Sequence, residues 1–384
     1  MAESVDRDQP LTPAGRLFLQ PQMNQIISAA ITVEFPIDID SFRAQVQSSI
    51  MFKHPRFCSL MVHDSAGREH WRRTAVDIDR DLIVHRHPLA DDPSSPIYPR
   101  SDDPARLPSI GGVGAAATGQ GRRRMNLWTI VLAVWYTLLY VVEFILRSAW
   151  RRDRTTAVSG GAGVELWPRK LTTARFRLDD MKVVKGAVAN ATINDVLFGV
   201  LTCGMSRYLD MRSSKALPEG LRLTGLAMVN LRPRSGLQDI SKLMDGDSGT
   251  RWGNKFGMLL LPVYYHRGGS DPIQFVKRSE AMIDSKKLSL EGPFSYSIGN
   301  LLMLLAFSTT GSFCNTTFTI SNVVGPTERI LIASNPVKRI RVTSSSLPHA
   351  ITMHMVSYAG MVDLQILVAK DIIPDPKTLA KCFC

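Results

Sequence analysis

The chain is poor in cysteine. It has five, at positions 58, 203, 314, 382 and 384 of 384 residues. Few, odd in number and scattered, they exclude a disulfide framework and fit a reducing compartment. No His/Cys cluster has metal-ligand spacing, no nucleophile elbow is present, and no glycine loop has the form that cradles phosphate. Zinc-finger spacings and RNA-binding signatures are also missing, so the net charge of +12 is not read as a sign of nucleic acid. The acidic, polar start from Met1 to Pro10 lacks the features of a cleavable signal peptide. The terminal Cys382-Phe-Cys384 is not a prenylation box. No internal repeat is visible.

What the chain does have is one long apolar run. Met125 to Val142 carries no charge, and Phe144, Ile145 and Leu146 extend it past Glu143. A run of about 18 or more apolar residues suffices to cross a bilayer as a helix. Trp128 and Trp150 lie near its ends, where amphipathic rings suit headgroups. Arg122, Arg123 and Arg124 precede it, and Arg147, Arg151, Arg152 and Arg154 follow. Anionic lipid attracts such bases at about 1 kcal/mol each. Arginines on both sides leave orientation open. A buried core helix or a hairpin in one leaflet remains an alternative to a membrane helix.

Around this run the pattern reads as α/β (α+β). Ile26 to Phe35 is β-branched and strand-like, and Asp38 to Ser41 caps a helix carrying Phe42, Val46 and Ile50. Cys58 to Val62 and Trp71 to Val76 read as further strands. In the second half, strands are expected at 173–178, 223–229, 256–265 and 317–321, with a hairpin of 351–357 and 361–368. Thr192-Ile-Asn-Asp195 has the form of a helix start, and Asp271-Pro272 opens another helix. Asn300 to Phe307 reads as an apolar helix. The chain reaches Cys384 where a helix from Pro376 is beginning, so that end is expected to be cut short. The expected organisation is an N-terminal subdomain at 1–92, a linker at 93–124, a transmembrane or membrane-associated helix at 125–147, a linker at 148–165 and a C-terminal domain at 166–384.

Six stretches, in order, carry a family resemblance: Pro10-Leu-Thr-Pro13, His54-Pro-Arg-Phe57, Thr192-Ile-Asn-Asp-Val-Leu197, Asn230-Leu-Arg-Pro233, Ser321-Asn-Val-Val-Gly-Pro326, and Pro348-His-Ala-Ile351 with Val356-Ser-Tyr-Ala-Gly360. Together they resemble the plant wax ester synthase/diacylglycerol acyltransferases. The resemblance spans nearly the whole chain except about 92–124. It implies a two-domain fold similar to the CoA-dependent acyltransferases, related to chloramphenicol acetyltransferase. It also implies transfer of a fatty acyl group from acyl-CoA to a long-chain alcohol or to diacylglycerol. Acyl-CoA would be a substrate, and no cofactor is expected. Membrane lipids are expected partners, nucleic acid is not, and homo-oligomerisation is left open. The expected place is the endoplasmic reticulum membrane, with the plasma membrane as alternative and the globular parts in the cytosol.

The family's general base comes from His-His-x-x-x-Asp-Gly, whose second His takes the alcohol proton. This sequence contains no such motif. The simplest reading is an N-terminal domain missing the segment that carries it. One near match exists: Arg86-His87-Pro-Leu-Ala-Asp91-Asp92 keeps the second His and the Asp at the family's spacing. One His-x-x-x-Asp is also expected by chance, so His87 and Asp91 stand as catalytic candidates beside that reading.

The resemblance further implies a substrate channel near Asn194, Asp195, Asn230, Arg232, Ser321, Asn322, Gly325 and Pro326. Asn194 and Asp195 equally suit a helix start, Asn230 and Arg232 a strand end, and Ser321 to Pro326 a tight turn. His349 and His354 read as structural histidines in or beside an apolar strand. The alternative function is a catalytically inactive, membrane-tethered form that binds acyl-CoA or a partner. A soluble acyltransferase of secondary metabolism is disfavoured, because its Asp-Phe-Gly-Trp-Gly motif is absent.

Overall fold

The computed structural model of the chain describes residues 9–11, 16, 26–49, 57–84, 126–161, 163–213, 215–231, 256–268, 271–304, 315–345 and 349–384. The centre is a six-stranded mixed sheet. Its spatial order is β5 (Arg169–Arg177), β12 (Met361–Ala369), β11 (Ile351–Tyr358), β8 (Phe318–Val324), β6 (Arg222–Asn230) and β7 (Phe256–Tyr264). β11, β8 and β6 run parallel, and the outer pairings are antiparallel. The expected hairpin of β11 and β12 is present. Ala359 and Gly360 in its two-residue loop both have positive φ, 46° and 80°, as a primed turn needs.

Helix α5 (Ile193–Arg212) lies against this sheet and fills the core. Leu201, Met205, Tyr208 and Leu209 recur at the helical period and are at most 1% exposed. They join one cluster with Leu223, Phe318, Ile320, Met353, Ile366 and Leu379. Fully burying each such side chain is worth about 1.5–3 kcal/mol. Helices α4 (Leu178–Gly186), α6 (Pro272–Leu288) and α8 (Pro376–Phe383) pack around α5. Asp179 and Asp180 sit in the first turn of α4, where carboxylates suit the helix dipole.

The exposed edge of the sheet is protected by a helix. α7 (Glu291–Leu304) lies along edge strand β7, where Glu291 Oε1 accepts from Leu260 N at 2.8 Å and Ser295 Oγ from Met258 N at 2.7 Å. Side chains therefore occupy ladder positions that another chain could otherwise pair with. α7 starts well before the expected Asn300, because Glu291-Gly-Pro-Phe-Ser looks like a loop. Its proline falls in the first turn, where a missing N–H costs no intrahelical bond.

The N-terminal elements are thinly packed. β1 (Gln9–Pro10), β4 (Glu69–Arg73) and β3 (Ser59–His63) form a small sheet, flanked in sequence by α1 (Ile39–Ser48) and α2 (Ile78–Asp81). β2 (Ile27–Val33) does not join that sheet. It pairs antiparallel with β10 (Asn335–Ser344), which also pairs with β9 (Leu331–Ile332). Neither β9 nor β10 is among the expected strands, because their residues alternate too weakly to show. Among the described residues up to 84, Leu11, Cys58 and Ile78 are the buried apolar ones. Ile27, Ile31, Phe35 and Leu60 are 47–69% exposed.

The apolar run forms α3 (Leu127–Ala149), a helix long and apolar enough to cross a membrane. The stretch expected as a linker after it is tied down. Asp153 accepts from Thr224 N at 2.6 Å, Thr224 Oγ1 at 2.9 Å and Thr317 Oγ1 at 2.7 Å, and Val158 is wholly buried.

Candidate active site

The parallel ladder between β6 and β8 covers only Gly225–Ala227 against Phe318–Ile320, although the strands continue to Asn230 and Val324. The far ends of these two strands carry most of the described candidate residues. Crevices at the carboxyl ends of parallel strands are the usual ligand sites of open α/β sheets.

Helix α5 starts close by. Asp195, fully buried, accepts from Thr192 N at 2.5 Å and from Thr192 Oγ1 at 2.8 Å through its Oδ2. This arrangement fixes the start of α5 and turns the preceding residue outward. Asp195 Oδ1 is buried without a partner among the described residues, an open acceptor at the helix start. The exposed Asn194 reaches β8, where Asn322 Nδ2 donates to Asn194 Oδ1 at 2.7 Å. Two candidates far apart in sequence thus meet.

Behind them Ser321 lies level with His354 on the neighbouring strand. Ser321 Oγ is 2.6 Å from His354 Nδ1, and Ser344 Oγ is 2.8 Å from Nε2. Burial pulls the His354 pKa down to about 4, so the ring is neutral at physiological pH. His349 is held likewise by Thr316 at Nε2 (2.6 Å) and Thr319 at Nδ1 (2.7 Å). Burial, with the Arg169 guanidinium as a lesser cause, lowers its pKa to about 3. Each ring has both nitrogens engaged by hydroxyls, as expected of a structural histidine.

After the exposed Val323 and Val324 the chain turns at Gly325-Pro326. Gly325 N donates to Ser357 O at 2.9 Å, and Ala359 N to Pro326 O at 3.1 Å. A β-carbon at Gly325 would come within 2.4 Å of that same Ser357 oxygen, so only glycine allows this approach. Asn230 ends β6 opposite Phe256. Arg232, His87 and Asp91 lie outside the described residues, as does the linker expected at 93–124.

A separate cleft of about 600 Å³ opens beside α5, with Val196, Gly199, Val200, Cys203 and Phe383 on its wall. None of the candidate residues line it. Among the described residues no group of three or more His, Cys, Asp or Glu could hold a metal ion. Asp153 belongs to no motif legible in the sequence. Its buried carboxylate tethers β6 and β8 near the start of their shared ladder, and only its place between exposed arginines hinted at a role.

Comparison with known proteins agrees with this architecture. Residues 252–384 match the model of the WS/DGAT C-terminal domain. Wax ester synthase/diacylglycerol acyltransferase 5 of Arabidopsis thaliana is 27% identical, over 98% of this chain and 92% of its own length. That alignment runs over 469 positions against the 384 residues here, so the relative contains residues without a counterpart in this chain. Wax ester synthase/diacylglycerol acyltransferase 2 of the same plant is 34% identical over 66% of this chain and 55% of its own. In fold, the chain is similar to the wax ester synthase/diacylglycerol acyltransferase of Marinobacter aquaeolei VT8, with TM-score 0.51 at 13% identity over 98% and 97% of the two chains. It is also similar to the first condensation domain of the calcium-dependent antibiotic synthetase, with TM-score 0.51 at 12% identity over 98% and 96%. The fold is similar to that of the chloramphenicol acetyltransferase-like acyltransferases, and over nearly its whole length the chain is similar to wax ester synthase/diacylglycerol acyltransferases.

Proposed function

We propose that this chain is an O-acyltransferase that moves a fatty acyl group from acyl-CoA to a long-chain alcohol or to diacylglycerol at the endoplasmic reticulum membrane. One observation carries the placement of the site. The Asn194–Asn322 hydrogen bond joins two family-like stretches at the crevice where β6 and β8 part. Both amides are exposed there, as residues on a channel wall would be.

In the proposed reaction the alcohol oxygen attacks the thioester carbonyl carbon of acyl-CoA. A base removes the hydroxyl proton, a tetrahedral oxyanion forms, and its collapse breaks the C–S bond and releases CoA thiolate, which takes up a proton. The base must reach the hydroxyl with a free ring nitrogen. His354 and His349 have none to offer. His87, which keeps the spacing of the family's second His to Asp91, is the proposed base, and Asp91 the carboxylate that braces it. Asn194, Asp195, Asn230, Arg232, Ser321, Asn322, Gly325 and Pro326 shape the channel. Exposed apolar residues on β2 and β3, and relatives with additional residues, support an N-terminal domain that is incomplete relative to the family.

The test is an ester-forming assay. Microsomes from cells expressing the chain receive labelled palmitoyl-CoA with hexadecanol or diacylglycerol, beside a His87→Ala variant. Wax ester or triacylglycerol above the vector control, lost in the variant, is the expected result. Product retained in His87→Ala would overturn the proposed base. No product from a well-expressed chain would overturn the activity and leave the inactive, tethered form.

A further inference from the structure

Helix α3 turns its polar residues toward the protein, among some apolar ones, and leaves a wholly apolar stripe outside. Ala133, Tyr136, Thr137, Tyr140, Phe144 and Arg147 recur every three or four residues on the covered side. Val131, Trp135, Leu138, Leu139, Val142 and Ile145 form the opposite stripe and are 45–59% exposed. Such an arrangement inverts that of a surface helix of a soluble domain, which turns its apolar stripe inward.

The covered side is fastened by specific contacts. Tyr140 Oη lies 2.5 Å from Ser285 Oγ on α6, and Leu290 N donates to Thr137 Oγ1 at 3.1 Å. Phe144 meets Phe294 of α7 edge to face, with ring centroids 6.2 Å apart. Glu143 pairs with Arg222 on β6, and the buried Arg147 pairs with Asp153 at 2.8 Å. The helix is thereby locked sideways onto the sheet and its two neighbouring helices.

That fastening decides between crossing a bilayer and lying on it. By length alone, α3 could do either. A crossing would carry Arg222, Asp153, Lys286 and Glu291 toward hydrocarbon with it, and a charge at the bilayer centre costs about 2.5–3.5 kcal/mol or more. Lying in the interface, the same helix buries only its exposed stripe and leaves the charges in the protein. Trp128 and Trp150, 65% and 71% exposed, stand at the two ends at headgroup level. Arg151, Arg152 and Arg154 are exposed just beyond, where anionic headgroups would meet them. Leu290, 60% exposed beside Thr137, extends the apolar surface.

We propose that α3 is an in-plane membrane anchor, whose Val131–Trp135–Leu138–Val142–Ile145 face docks on an anionic phospholipid surface without crossing it. The proposal takes membrane association from the proposed function and adds how the chain is seated. It holds whether or not the chain forms esters.

Sealed microsomes containing the full chain provide the test. Asn126→Cys and Arg151→Cys variants are treated with an impermeant maleimide, and labelled peptides are identified by mass, so that native cysteines do not interfere. Both positions should be labelled equally without detergent. One position labelled only after detergent would show a crossing helix and overturn the proposal, leaving any ester formation measured in the same microsomes untouched. Separately, the full chain should float with phosphatidylcholine–phosphatidylserine vesicles. A Leu138→Glu/Val142→Glu variant should reduce the bound fraction about tenfold or more while keeping its thermal midpoint. Flotation unchanged in that folded variant would overturn the assigned face. No flotation of the parent chain would overturn both the anchor and the membrane location.

Discussion

Asn322 Nδ2 donates to Asn194 Oδ1 across 2.7 Å, joining the end of a strand to the start of a helix 128 positions away. Both side chains are exposed, so the bond contributes little to stability and more to the shape of the crevice mouth. Asn194→Ala and Asn322→Ala should each lower ester formation about tenfold, equivalent to about 1.4 kcal/mol, with thermal midpoints near that of the parent. The double variant should be scarcely worse than either single one, because each already removes the shared bond. Additive losses measured as kcat/KM would show that the two amides act separately.

Thr192-Ile-Asn-Asp195 could be read directly because a capping arrangement is local, needing only four residues and their order. The β11–β12 hairpin and the helix opened by Asp271-Pro272 were legible for the same reason. The meeting of Asn194 with Asn322 was not, since it depends on α5 packing across the sheet. β10 stayed hidden because its partner β2 lies some 300 residues away and its residues do not alternate cleanly. Nor does hydropathy show which side of α3 faces outward. Polar residues scattered through the run, Thr137, Tyr140 and Glu143, acquire meaning only once Leu290, Ser285 and Arg222 stand opposite them.

Asp195→Ala removes the acceptor for both Thr192 groups and should destabilise the chain by about 1–2 kcal/mol. Thermal unfolding of the purified chain would register this as a lower midpoint. Asp195→Asn can still accept at one oxygen and should lose less. A larger loss in the Asn variant than in Ala would mean that the unpartnered Oδ1 side cannot hold an NH₂ group.

Gly325→Ala places a methyl carbon where the Ser357 carbonyl oxygen stands, within 2.4 Å. Neither atom belongs to a flexible side chain, so β8 must shift away from β11. Ester formation should fall together with stability, by about 1–3 kcal/mol in denaturant unfolding. Gly360→Ala, where nothing lies within 4 Å but φ is 80°, tests backbone strain without a clash and should cost about 1 kcal/mol.

The two buried histidines make stability depend on pH in a direction set by their shifts. Both are lowered from 6.5, to about 4 for His354 and about 3 for His349. Between those values and 6.5 the unfolded chain binds the protons that the folded chain refuses, so stability rises with pH there. Their full contribution is present above about pH 6.5 and is lost as pH falls through 4 and then 3. His354→Gln should flatten the acid limb of a stability-versus-pH curve by up to one proton and lower stability at neutral pH. An unchanged slope would mean that His354 titrates like an exposed imidazole.

Lys286 and Glu291 form the buried ion pair beneath α3, with Nζ and Oε2 2.7 Å apart and Nζ 3.6 Å from the centre of the Tyr140 ring. Burial pushes the lysine pKa down and the glutamate pKa up, so each charge persists mainly through the other. Lys286→Met leaves a carboxylate unpaired, and Glu291→Gln leaves an ammonium unpaired. Each should cost about 3–5 kcal/mol in denaturant unfolding. Gln at 291 still offers an oxygen to Leu260 N, so the edge of β7 stays covered. The double variant Lys286→Met/Glu291→Gln should therefore cost well under the sum of the singles. Full additivity would show that the two charges stabilise the fold through partners other than each other. Because the pair lies under Tyr140, the single variants should also loosen α3, read as increased proteolysis within 127–149 ahead of global unfolding. The double variant should restore protection there, since a neutral pair leaves no unpaired charge beneath Tyr140.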